Sequence, residues 1–358
     1  MIRRPPRSTL SSSSAASDVY KRQENDTKKL KAPYLILGNH VSYWDPFLVN
    51  IFIDEPMCYI AEAVYFRNPI LRYFLNIAGS IPKKRFMAHY SPIKRLFKAK
   101  ENGRILGIFP EGERGWDGTT DKMDLFSTAK LIKRLAIPVV GVKIQGGYLA
   151  YPRWAKTSRR GRINLSYTLC LTSQESQELS VEQIEVRIRE NLHHDEVDYQ
   201  KKSQNIYTGR RLAENLEHLL FVCPNCQSLN TLASRENQVV CHYCNYSVLY
   251  NQFGFLEESK EKLYFDNVRD WNRWQNSYLE ECIGEKLRKQ PGKLILKDDD
   301  TNVLEGSFHQ PFTSIGQGSL CLDQNGLFFH FDGTKKVLFK LKNIVGLNVQ
   351  FQAVLEFI

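Results

Sequence analysis

A chain of 358 residues is long for one domain and suggests two or three, and a hydrophobic fraction of 42% suffices for a real core. No stretch reaches the roughly 18 consecutive apolar residues of a membrane-spanning helix, and the N-terminus lacks the apolar core of a secretory signal. The net charge of +10 fits an anionic membrane surface, a phosphorylated substrate or a nucleic acid, and by itself does not choose among them.

Residues 1–23 are Ser-rich, lack periodicity and resemble a translated sequencing-library adapter. They carry Arg3, Arg4, Arg7, Lys21 and Arg22 against Asp18, so part of the positive charge sits there. This leader is expected to be non-native, disordered and outside the fold.

The first informative stretch is Gly38-Asn39-His40-Val41-Ser42-Tyr43-Trp44-Asp45-Pro46, which lies between apolar runs at 34–37 and 47–53. The first run predicts a short buried strand, and Asp45-Pro46 predicts a helix start with Asp as N-cap. His40 therefore falls in a strand-to-helix loop. On one helix, residues five apart would point about 140° away from each other, so pairing His40 with Asp45 requires that loop to curl. In such a pair the carboxylate keeps one ring nitrogen protonated and leaves the other to take a proton from a hydroxyl. The bland alternative is a hydrogen-bonded loop histidine.

Residues 57–61 read as a second buried strand and 65–77 as a helix, whose apolar face of Phe66, Ile70, Phe74 and Ile77 is expected to pack in the core rather than meet a membrane. Next come Gly79-Ser80-Ile81-Pro82-Lys83-Lys84-Arg85, a basic helix over 91–102, and a strand over 105–109 that runs into Phe109-Pro110-Glu111-Gly112-Glu113-Arg114. A helix over 124–136 and the apolar block Ile137-Pro138-Val139-Val140-Gly141-Val142 follow. Strands and helices alternate, which is an α/β pattern.

Taken in order, N-H-x4-D, G-x5-R, F-P-E-G-x-R and the block around Pro138-Val139 resemble the glycerolipid acyltransferases, the lysophosphatidic acid acyltransferase family. The resemblance covers roughly residues 33 to 170. It departs from the family at Glu113, where Thr or Ser is usual, and at Gly141, where many members have a second Pro. It implies that His40 and Asp45 are catalytic and that Arg85, Glu111, Gly112 and Arg114 bind the acceptor. An Arg offers a planar fork of donors that matches a phosphate, and a Gly lets the backbone approach an anion closely. The implied donor is acyl-CoA or acyl-ACP, the implied acceptor a lysophospholipid, and no cofactor is needed for catalysis.

Residues 148–162 interleave Tyr148, Tyr151 and Trp154 with Arg153, Lys156, Arg159, Arg160 and Arg162. Beside an acyltransferase core this favours contact with a membrane surface. A strand over 163–171 and a polar helix over 181–194 complete the domain, and His193-His194-Asp195 is read as a solvated helix end.

Eight cysteines include Cys223-Pro224-Asn225-Cys226 and Cys241-His242-Tyr243-Cys244, fourteen residues apart. Two such pairs argue for metal in a reducing cytoplasm rather than disulfides, and they resemble a zinc ribbon that closes one structural zinc. Four thiolates leave no open position for chemistry, so the ribbon is expected to play no part in acyl transfer. Cys58, Cys170, Cys282 and Cys321 are isolated.

The expected architecture is therefore α/β: an acyltransferase-type mixed sheet flanked by helices, then a small zinc ribbon and a small antiparallel β domain. The boundaries are 24–200 for the acyltransferase domain, 201–222 for a helical linker, 223–255 for the ribbon, 256–290 for a helix and 291–358 for the β domain, whose last strand is expected to run on past the end. The expected activity is acylation of lysophosphatidic acid to phosphatidic acid, at the inner, cytoplasmic face of a membrane. The alternatives are a zinc-ribbon nucleic-acid binder, which leaves the four ordered blocks unexplained, and a non-catalytic membrane-lipid binder, against which the intact His40/Asp45 pair argues.

Overall fold

A computed structural model of the chain describes residues 20–83, 90–121, 123, 125–259, 262–290, 293–305, 313–331, 336–350 and 354–357. Its first part is a seven-stranded sheet. In chain order this part contains β1 (Tyr20–Asn25), β2 (Leu35–Gly38), α1 (Asp45–Asn50), β3 (Met57–Glu62), α2 (Pro69–Ile77), β4 (Ile81–Lys83), α3 (Tyr90–Glu101), β5 (Ile105–Ile108), α4 (Phe126–Leu135), β6 (Val139–Gln145), α5 (Gly147–Ala150), β7 (Ile163–Leu171), α6 (Ser173–Glu178), α7 (Val181–Leu192) and α8 (Glu196–Ser203).

The strand order is β1-β7-β6-β2-β5-β3-β4. Every neighbouring pair is parallel except β6 with β7. β2 and β5 are buried along their whole length, as expected of central parallel strands covered on both faces. The strand period of two sends Leu35 and Leu37 to one face, with Leu96 of α3, Ala129 and Ile132 of α4 and Ile184 and Ile188 of α7. It sends Ile36 to the other face, with Leu48 and Val49 of α1 and Tyr148 and Leu149 of α5. The register Leu35 to Leu106 and Leu37 to Ile108 brings the loops after β2 and β5 out at the same rim.

Two boundaries differ from the sequence reading. Tyr20 to Arg22 pair with Ile163 to Leu165, so residues 20–23, assigned above to the leader, belong to the sheet edge. Edge pairing uses backbone groups alone and leaves no apolar signature to read. Residues 204–222 are turns with one 3-10 turn at Leu216–His218, not a helical linker. Left-handed backbone at Gln204, Arg211 and Asn215 interrupts any helix there.

The cysteine-bearing segment forms a four-stranded antiparallel sheet of β8 (Leu232–Arg235), β9 (Gln238–Cys241), β10 (Ser247–Tyr250) and β11 (Leu256–Glu258), so it extends past residue 255. The long helix α9 (Val268–Lys289) follows, capped by the Asn267 side chain on the Asp270 N–H. Ribbon and helix share a third core around Trp154, Leu216, Leu220, Tyr246, Tyr250 and Trp271. β12 (Leu296–Glu305), β13 (Thr313–Leu322), β14 (Gly326–Phe331) and β15 (Lys336–Lys340) form an antiparallel sheet, and β16 (Leu347–Gln350) and β17 (Val354–Phe357) form a hairpin. β12 is bulged between Asp298 and Thr301 and again between Val303 and Leu304, yet stays paired with β13 on either side.

Candidate active site

The loop after β2 is folded by its own side chains. Gly38 lacks a Cβ where one would come within 2.8 Å of the Phe109 ring, which lets the ends of β2 and β5 close together. Asn39 is buried; its amide donates to the Ile144 carbonyl at 2.9 Å and accepts from the Ile144 N–H at 2.7 Å. His40 then stacks on Phe109, with ring centroids 4.6 Å apart.

Asp45 lies on His40 Nδ1 at 2.7 Å. The same carboxylate accepts from the backbone N–H of Val41 at 2.6 Å, the N–H of Ser42 at 2.9 Å and the Ser42 hydroxyl at 2.6 Å. A carboxylate already accepting these donors assigns the proton of the pair to Nδ1. Nε2 has no hydrogen-bond partner among the described residues, and the ring is 22% exposed, open to a hydroxyl. The curl that the pair requires is therefore present. Asp45 is not the N-cap of α1, however. It is the first helical residue, Trp44 holds the cap position without a side-chain bond, and the carboxylate is turned back into the loop.

The turn after β5 closes on this loop. Gly112 takes φ +73°, a left-handed position that a side chain would strain, and its N–H bonds the Phe109 carbonyl at 3.2 Å. Glu111 Oε1 accepts from the His40 N–H at 2.7 Å, and the Gly115 N–H donates to the His40 carbonyl at 3.1 Å. Burial pushes the Glu111 carboxyl up to about 8; the charges of Asp45, Asp117 and Glu113 add to this, and the His40 N–H opposes it. Glu111 thus supports the histidine backbone. The Arg114 guanidinium lies over the Tyr43 ring, 3.6 Å from its centroid, and makes no ion pair among the described residues. Its donor fork is available to an anion. Arg85 lies outside the described residues; Lys83, at the end of β4, is exposed.

The sequence reading missed Ser42, whose hydroxyl orients the carboxylate, and Phe109, which backs the imidazole. Both lie inside the quoted blocks, where the recurrent positions drew attention away from the residues between them.

A family model for acyltransferases matches residues 18–145. The chain carries an acyltransferase-family domain. This domain is similar to the 1-acyl-sn-glycerol-3-phosphate acyltransferase of Borreliella burgdorferi, with 28% identity over 92 residues, 25% of this chain and 37% of that protein. It is also similar to the 1-acyl-sn-glycerol-3-phosphate acyltransferase of Saccharomyces cerevisiae, with 29% identity over 143 residues, 38% of this chain and 46% of that protein. The chain thus spans less than half the length of either curated relative. The crystal structure of the 1-acyl-sn-glycerophosphate (LPA) acyltransferase PlsC of Thermotoga maritima aligns with a TM-score of 0.42 and 18% identity, over 52% of this chain and 73% of that one.

Only part of the aromatic and basic segment at 148–162 faces solvent: Lys156, Arg160 and Arg162 are exposed. Tyr148, Arg153, Trp154 and Arg159 are buried. Trp154 Nε1 donates to the Tyr148 hydroxyl at 2.9 Å and its ring packs edge-on to Tyr250, while Arg159 donates to the carbonyls of Leu149 and Leu212. The segment is the seam between the domain and the ribbon. The expected core-packing face over 65–77 holds at Phe66, buried ahead of α2, and fails along α2 itself. No residue of that helix is buried, and Ile70, Tyr73, Phe74 and Ile77 are between 61% and 70% exposed. Trp44, Phe47 and Ile51 present a second exposed apolar row, from the N-cap to the C-cap of α1. Among the described residues, no helix is long and apolar enough to cross a membrane.

Cys223, Cys226, Cys241 and Cys244 come together, their sulfurs within 4.8 Å of one another. The Cys223–Cys244 and Cys226–Cys241 sulfur pairs are each 3.7 Å apart. A tetrahedral ion with metal–sulfur bonds of about 2.3 Å requires edges of about 3.8 Å, so the cluster fits one. The two knuckles are built alike. Gln227 and Asn245 each take positive φ and bond back to the first cysteine of their pair. Burial raises the Cys241 thiol, but the Thr231 hydroxyl and the backbone N–H groups of Cys244 and Tyr243 outweigh it and bring it down to about 6, which favours a thiolate ligand. The four-cysteine cluster can hold a structural metal.

Proposed function

We propose that the protein transfers an acyl chain from a thioester, acyl-CoA or acyl-ACP, to the free hydroxyl of lysophosphatidic acid or a related lysophospholipid, giving phosphatidic acid. The observation that carries this reading is the His40–Asp45 pair, with Nε2 open to solvent, beside the uncommitted guanidinium of Arg114. Nε2 takes the proton of the acceptor hydroxyl, whose oxygen attacks the thioester carbonyl. The C–S bond then breaks, and the proton passes from Nε2 to the departing sulfur. Arg114, with Arg85, grips the acceptor phosphate.

The partner surface is the cytoplasmic face of a membrane, where a lysophospholipid resides. The exposed rows on α1 and α2 suit that role, as amphipathic faces with aromatic residues at an interface. The metal is zinc, and it folds the ribbon without acting in the transfer step.

The deciding experiment is an acyl-transfer assay with lysophosphatidic acid against other lysophospholipids, using both donor types. Turnover that requires the phosphomonoester supports the proposal, and no turnover with any pair sinks it. Co-sedimentation with anionic vesicles tests the surface, since Ile70→Glu with Phe74→Glu should abolish pelleting. Elemental analysis should find one zinc per chain.

A further inference from the structure

The turn that carries Arg114 is held mostly from outside itself. Arg153 lies over Trp116, 4.1 Å from its ring centroid, and donates to the Arg114 carbonyl at 2.6 Å and to Glu113 at 3.2 Å. The Tyr148 hydroxyl donates to the Trp116 carbonyl at 3.0 Å. From α9, Asn272 Nδ2 donates to Asp117 Oδ2 at 3.0 Å and Arg273 donates to Asp121 at 2.7 Å. The Arg273 pair is about half exposed on both sides and contributes little. The Asn272 bond differs, because Asn272 is buried and belongs to a chain of bonds.

Asn272 Oδ1 accepts from Gln275 Nε2 at 3.0 Å, and Gln275 is fully buried. Gln275 Oε1 accepts from the N–H groups of Phe221 and Val222, at 2.9 and 3.3 Å, and its amide also donates to the Leu219 carbonyl at 2.7 Å. Trp271 Nε1 donates to the Val222 carbonyl at 2.9 Å. Val222 directly precedes the first metal-site cysteine. An unbroken polar line thus runs from that knuckle through Gln275 and Asn272 to Asp117. At the far end, Asp117 Oδ1 accepts from both the N–H and the hydroxyl of Thr119, so one carboxylate ties the turn after Arg114 to α9. Each member is partnered, which fixes its orientation, and losing one leaves a buried group unsatisfied.

We propose that Asn272 is a positioning residue for the acceptor site: through Asp117 it sets where Arg114 stands, so the C-terminal half of the chain tunes acceptor affinity without touching substrate. This rests on the reading of Arg114 as the phosphate grip.

The test is an exchange of donor and acceptor in the full chain. Asn272→Asp alone sets two carboxylates against each other. The double variant Asp117→Asn, Asn272→Asp restores the bond with roles reversed, while residue 272 still accepts from Gln275 and residue 117 still accepts from Thr119. Removing a hydrogen bond to a charged group should raise the KM for lysophosphatidic acid roughly tenfold in Asn272→Asp, with the thioester KM unchanged, and the double variant should return to within about threefold of wild type. Backbone hydrogen exchange over residues 110–121 should rise in the single variant and fall back in the double. A double variant no better than the single, equal shifts in both KM values, or unchanged exchange in the single variant would overturn the proposal. If the wild-type protein transfers no acyl chain, the functional reading fails by itself, and the exchange measurement still decides whether Asn272 positions the turn.

Discussion

The loop that carries His40 is organised by a carboxylate five residues away, whereas the turn that carries Arg114 is organised by side chains of Tyr148, Arg153 and Asn272. On the proposed reading, the group doing proton chemistry takes its orientation from its own loop, with Glu111 and Ile144 behind it. The group reading the substrate takes its support from the seam and α9. Chemistry common to a family needs one geometry, and a short closed loop provides it wherever the domain is placed. Recognition can be adjusted by whatever packs behind it, and here the ribbon and α9 pack behind it. A segment ending near residue 220 would lose that support and expose Trp154, so the ribbon is not a detachable appendage.

The largest effect should come from breaking the local half. His40→Ala removes the base and should lower the acyl-transfer rate by roughly 10²- to 10⁴-fold with circular dichroism unchanged; a variant keeping a tenth of the rate would refute the role. Asp45→Asn should lose nearly as much.

Breaking the distant half should act first on stability. Trp154→Ala empties a fully buried site at the seam and should cost about 3–5 kcal/mol in urea unfolding. A loss under 1 kcal/mol would mean that the seam is not a shared core.

A smaller and more selective effect is expected at Arg114 itself. Arg114→Lys keeps the charge but loses the fork, so the acceptor KM should rise roughly tenfold while the thioester KM stays put. Equal changes would remove Arg114 from the acceptor site.

The smallest effect sharpens the contact between the two halves. Glu111 is raised from 4.5 to about 8, so between those pH values the folded protein holds a proton that the unfolded chain has released. Stability should therefore fall as pH rises through that window. Glu111→Gln keeps the acceptor for the His40 N–H and removes the titration, so its thermal midpoint should change less with pH from 5 to 8. Parallel curves for the two proteins would show that the carboxyl is not held neutral.

Sequence motifs made the geometry around His40, Asp45 and Gly112 legible because these residues lie in local turns whose punctuation, Asn39, Pro46 and Pro110 among it, is written beside them. Alternation of strand and helix likewise announced the sheet. Burial at the seam was not legible. Arg153 and Arg159 look like solvated cations until the carbonyls of Arg114, Leu149 and Leu212 are brought to them by folding. The opposite error on α2 has the same root: an apolar face at helical spacing states that something must cover it, and says nothing about whether that cover is the protein's own core. Asn272 and Gln275 gave no signal, since amides on a long helix are ordinary and their partners lie far away in sequence.

The amide of Asn39 presents a donor and an acceptor spaced like those of a peptide unit, and it meets both polar groups of Ile144. It adds one counterfeit rung to the ladder between β2 and β6 after the main chain of β2 has turned away. The backbone is thereby free to swing His40 out over the rim, yet the residue behind it is still clamped to a central strand at the buried Ile144. The imidazole should accordingly move with the amplitude of a sheet rather than of a surface loop, and the entropy of placing it is settled on folding, before any ligand arrives.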